Sequence, residues 1–172
     1  MKKSVLILAS LFLTVSSFSV LANNNQTEDN AWERQADNKL RARVDANNSS
    51  VNGVIGSYET QMGKREVFFS LIWENKAYCQ DKPEDFVQLR KVYVNGQPIS
   101  FNLKCYENQW VNYIAHTTKG TSYIVDQFNT SSRKDIEFTE HFSNTKDSSF
   151  TITNKNFRPI YKIIEASTKD SL

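Results

Sequence analysis

His116 and His141 are the only histidines in the chain. With Lys119 following the first and Glu140 beside the second, they are the residue types a small secreted hydrolase uses as general acid and base. No local motif surrounds either one, and nothing in the sequence fixes their mutual distance. A nuclease-like hydrolase is therefore the alternative reading. Two surface histidines at strand ends are the plainer one, since His116 runs into the Thr117-Thr118-Lys119-Gly120 turn. Nucleophile arrangements offer less: the chain has no Gly-x-Ser-x-Gly elbow and no glycine-rich phosphate loop.

Cys79 and Cys105 are the only cysteines. Joined with the histidines they have the atom types of a zinc site, but at no finger or deaminase spacing. An even pair in an exported chain reads as one disulfide. Closing a loop of 26 residues stabilises by about 3.5 kcal/mol on the chain-entropy account. The carboxylates Asp81, Glu84 and Asp85 crowd one loop, yet lack the alternating ligands and glycine turn of a calcium site, and Pro83 makes that loop a rigid solvated corner. No metal and no cofactor is expected. Tyr106, Trp110 and Tyr113, with Pro98, form a candidate binding surface, because exposed Tyr and Trp mark interfaces. Trp110 and Tyr113 have opposite strand parity, so one turns to the core and the other outward.

The elements that must position these residues begin after a leader. MKKSVLILASLFLTVSSFSVLA has two lysines, an apolar stretch broken by hydroxyls, and Val20 and Ala22 at the positions a signal peptidase reads. Residues 1–22 are a signal peptide of bacterial type, with cleavage near Ala22. Its apolar core is too short and too polar for a stable membrane anchor. Localisation is then periplasmic or secreted.

Cleavage removes Lys2 and Lys3, which lowers the 21 basic residues to 19, equal to the 19 acidic ones. A neutral balance without a basic cluster excludes a nucleic-acid surface and a polybasic grip on anionic lipid.

Residues 23–38 are polar and read as a flexible start, with a helical turn from Asn30 and Trp32 as the one large apolar side chain. Residues 39–165 read as a single β domain, and 166–172 as a polar tail. Leu40, Ala42 and Val44 alternate with charged residues, which predicts a strand. Glu66 to Trp73, EVFFSLIW, is apolar on both faces and belongs at the centre of a sheet.

VYVNGQPISFNLKC, residues 92–105, is a hairpin turning at Asn95-Gly96, with Ile99, Phe101, Leu103 and Cys105 on one face. Pro98 falls at a non-hydrogen-bonded pair, so its outer side is expected at a sheet edge. Further strands are expected at Trp110–Ala115, Thr121–Phe128, Lys134–Phe138, Ser149–Thr153 and Ile160–Glu165.

Short strands with polar turns point to an all-β fold: an antiparallel β-sandwich or small barrel, one domain with one disulfide. The leading expectation for function is an exported, non-enzymatic protein-interaction module of the cell envelope. A pilus or surface subunit is the weaker alternative, because the chain has few glycines, mid-domain cysteines and no alternating C-terminal strand.

Overall fold

The Asn95-Gly96 turn forms as expected, with φ of 48° at Asn95 and 84° at Gly96, the positive values a type I′ turn needs. It joins β5 (Val87–Val94) to β6 (Gln97–Tyr106) with Val94 opposite Gln97, Tyr93 opposite Pro98 and Val92 opposite Ile99. The Asn95 side chain then ties the turn to its neighbours. Its Oδ1 accepts from the Glu137 backbone at 3.0 Å, and its Nδ2 donates to Gln127 at 3.0 Å.

This hairpin lies inside one nine-stranded antiparallel sheet, which a computed structural model describes over residues 30–36, 40–83, 85–141 and 147–169. The other strands are β1 (Glu33–Arg34), β2 (Arg41–Asp45), β3 (Asn52–Glu59), β4 (Arg65–Glu74), β7 (Trp110–Ala115), β8 (Asp135–Glu140) and β9 (Ser148–Thr153). Their spatial order is β1-β2-β3-β4-β7-β6-β5-β8-β9. The sheet curls into a half-barrel, and a bridge from Asn47 to Thr151 links the β2 side to β9. The β-rich single-domain expectation therefore holds in its barrel form. No second sheet stacks on the first among the described residues.

Two segments expected as strands are helices. Thr121–Phe128 lies in α2 (Thr118–Thr130), and Ile160–Glu165 in α3 (Phe157–Lys169). In α2 the β-branched and aromatic residues favour a strand by propensity. The buried set Gly120, Thr121, Ile124, Val125 and Phe128 nevertheless recurs at three- and four-residue spacing, and the Thr117 side chain caps the Gly120 N–H at 3.0 Å. In α3 the buried set is Phe157, Ile160 and Ile164. The exposed Ile163 next to Ile164 hides that period in the sequence. Pro159 lies in the first turn, where a missing N–H costs nothing. Residues 166–169 of the expected tail also belong to α3.

Both helices pack on the concave face. There Trp32, wholly buried, meets Phe69, Phe128 and Phe157 with ring centroids 6.5, 5.4 and 5.1 Å away, and its indole N–H donates to the Thr153 carbonyl at 2.9 Å. Gly53 makes room for it: a Cβ there would lie 3.3 Å from the Trp32 ring. The segment expected as a flexible start with a helical turn thus contributes, over residues 30–36, a short strand and a central core residue; the rest of 23–38 lies outside the described residues.

The disulfide joins Cys79, at the end of the short helix α1 (Lys76–Cys79), to Cys105 on β6, with Cα atoms 5.5 Å apart. It fits an oxidising compartment outside the cytoplasm. Among the described residues no helix is long and apolar enough to cross a membrane.

Candidate functional site

Strand β4 sends Val67, Phe69, Leu71 and Trp73 to the concave face and Phe68, Ser70 and Ile72 to the outer one. A sheet with one face covered normally turns polar side chains to water. Here the outer face carries half-buried Val54, Phe68, Ile72 and Ile114, which floor a groove of about 740 Å³. Arg41 and Arg43 of β2 form one wall, and His116, Thr117 and Thr118 the other. Gly56 lies beneath: a Cβ there would come within 2.8 Å of the Phe68 ring and 2.9 Å of Arg41 Cγ. Glycine at this position lets the Arg41 guanidinium lie over Phe68, 5.7 Å from the ring centroid. Arg43 is held by Asn52 at 2.9 Å and Asp45 at 3.4 Å. Asn112 Oδ1, also on the groove, is buried with no hydrogen-bond partner.

The concave face has its own cavity, about 360 Å³, lined by Asn75 and Tyr78 of the α1 segment and by no residue of α2 or α3. Leu71, Trp73, Val92, Leu103, Val111 and Phe150 supply apolar walls. Ser49, Ser50, Asn75, Tyr78 and Ser148 add polar lining, and Tyr113, Glu140 and Arg90 form a linked polar cluster within it. The Tyr113 hydroxyl donates to Glu140, 3.0 Å from both carboxylate oxygens, while Arg90 Nε stands 3.8 Å from Glu140 Oε1 and makes no hydrogen bond. Burial, reinforced by the Glu140 charge, pushes the Tyr113 hydroxyl well above its ordinary pKa. Burial also raises the Glu140 pKa, against the opposing pull of the Tyr113 hydrogen bond and the Arg90 charge. The Trp73 and Tyr113 rings meet edge-on at 4.9 Å.

The residues singled out in the sequence scatter over these surfaces. His116 lines the outer groove and its Nδ1 lies 3.0 Å from Asn102 Oδ1. His141 follows β8, contacts Asp147 at 2.6 Å and packs edge-on against Tyr93 at 4.7 Å, and it does not line that groove. Tyr106 and Trp110 are cross-strand partners, with Tyr106 60% exposed. Tyr113 turns inward and is buried, so the three aromatics do not share one platform.

Pro98 is exposed, but β6 is an interior strand between β7 and β5. Its outer side is free only because β7 ends opposite Phe101, so the expected sheet edge is a local overhang. Among the described residues no group of three or more His, Cys, Asp and Glu side chains could hold a metal. Arg41 and Arg90 were not candidates by sequence, and Glu140 was one only as a neighbour of His141, not as the partner of Tyr113. The signal was present for the groove, in the two-sided apolarity of EVFFSLIW, but not for the cavity, whose residues come from distant strands.

Compared with protein-family models, curated proteins and solved structures, the chain has no match in any of the three.

Proposed function

We propose that the chain is an exported, non-enzymatic protein-interaction module of the cell envelope, periplasmic or secreted after cleavage near Ala22, and that the outer-face groove receives an extended segment of its partner. The observation that carries this is the apolar floor of Val54, Phe68, Ile72 and Ile114 on a face that no element of the described chain covers. The groove specifies its occupant further. The Arg41 guanidinium rests on a ring rather than a carboxylate, which favours an acidic side chain in the partner. Asn112 Oδ1 is an unused acceptor for a partner N–H. Apolar residues alternating with an acidic one in an extended strand would meet all three features.

The test is crosslinking of tagged mature protein in its native envelope and culture medium, beside an Arg41→Glu, Arg43→Glu variant. A discrete partner that the unaltered protein captures and the double variant loses is expected. Equal capture by both, or none, removes the groove from the interaction.

The hydrolase alternative has one favourable feature, the His141–Asp147 contact at 2.6 Å, a carboxylate that can orient an imidazole. Replacing His116 and His141 with alanine decides it: an unchanged phenotype leaves no role for general acid–base chemistry.

A further inference from the structure

The cavity on the concave face holds a loose ion pair, Arg90 and Glu140, whose hydrogen-bonding capacity is not used up within the pair. Arg90 and Glu140 face the same 360 Å³ space as a cation and an anion 3.8 Å apart, too far for a hydrogen bond. Glu140 is nearly buried, with a side-chain exposure of 13%, and Arg90 Nε is buried without a partner. Tyr113 fixes the carboxylate by donating to it, which still leaves acceptor positions on Glu140. Arg90 keeps its donor fork. Leu71, Leu103, Val111 and Trp73 give the cavity an apolar wall, beside polar lining that includes Asn75 and Ser148.

Each simple ligand class meets an obstacle. A plain anion on Arg90 would lie against the Glu140 carboxylate, and a plain cation on Glu140 against the guanidinium. Either repulsion is strong in a site of low dielectric. A ligand carrying both charges close together on an apolar body meets neither. We infer that the cavity binds a free α-amino acid with an apolar side chain, its ammonium on Glu140, its carboxylate on Arg90 and its side chain against Trp73 and the aliphatic walls. The volume lies within the range of small-molecule pockets, and apolar side chains and polar groups share the lining. This site lies on the opposite face of the sheet from the partner groove and does not depend on it.

The test uses the purified, oxidised protein and reads tryptophan fluorescence and thermal shift on titration with L-leucine and L-phenylalanine. Two leucine analogues run alongside: 4-methylpentanoate, which lacks the amine, and 3-methylbutylamine, which lacks the carboxylate. Saturable binding of the amino acids is expected, with each analogue weaker by about tenfold or more for the lost charge-assisted hydrogen bonds. Arg90→Met and Glu140→Gln should each abolish it, while Arg41→Glu on the outer face leaves it intact. Absence of saturable binding by either amino acid, an analogue that binds as tightly, or amino-acid binding unaffected by both cavity variants overturns the proposal. Should a cavity variant fail to fold, the analogue panel on the unaltered protein decides alone.

Discussion

Phe68 and Phe69 are neighbours in sequence on the same strand, yet they lie in opposite environments. Phe69 is wholly buried among Trp32, Phe128 and Phe138, under helices that close one end of the half-barrel. Phe68 is half-buried on the outer face, where the Arg41 guanidinium lies over it and the Tyr58 ring meets it edge-on. The chain covers the first face with two helices and a tryptophan brought from near its N-terminal end. Among the described residues no element covers the second, which has comparable apolar character along β4. The first face answers to stability, and the second is the one we propose meets a partner.

Substitution at the two phenylalanines separates those roles. Phe69→Ala should lower unfolding free energy in urea by about 3–5 kcal/mol, through lost transfer energy and the cavity left among the rings. Next in size is the disulfide that ties α1 to β6: Cys105→Ser should cost about 3.5 kcal/mol, and the unaltered protein should show no alkylatable thiol before reduction. Phe68→Ala should cost less, about 1–2 kcal/mol, since its side chain is only partly buried and leaves no closed cavity. A loss at Phe68 as large as at Phe69 would mean that the outer face is structural and the contrast false.

The smallest effect lies in the concave cavity. Glu140 has a folded pKa raised above its unfolded value, so the folded state binds the proton more tightly. Its stabilising contribution is fully present below the unfolded pKa and is lost as pH rises through the folded pKa. Relative to Glu140→Gln, the unaltered protein should therefore gain stability as pH falls from neutrality through the carboxylate range. Urea midpoints of the two proteins across that range test the sign, and a gain in the opposite direction would show that Arg90 and Tyr113 outweigh burial.

Legibility in the sequence followed how local each signal was. Asn95-Gly96 names its own turn, and residues 92–105 alternate strictly around it, so hairpin, register and inward face could all be read before folding. The Cys79–Cys105 pairing followed from there being no other cysteine. The helices were lost because α2 is rich in residues that favour strands and α3 carries an outward isoleucine beside an inward one. Their helical state is decided by the concave face they must fill. Trp32 looked isolated for the same reason, since its partners Phe69, Phe128 and Phe157 come from three distant parts of the chain. Arg90, Tyr113 and Glu140 meet only once β5, β7 and β8 are arranged around the barrel, and no spacing in the chain announces that.

The outer groove is tested most directly by a photo-crosslinking residue placed at Ile72, on the groove floor, and in parallel at Leu89, exposed on the sheet but outside the groove. A single adduct formed in the native envelope or medium from position 72, absent from position 89 and lost with Arg41→Glu, is the expected result. No adduct at either position, or equal adducts at both, would show that the apolar outer face of β4 is not where this protein meets its partner.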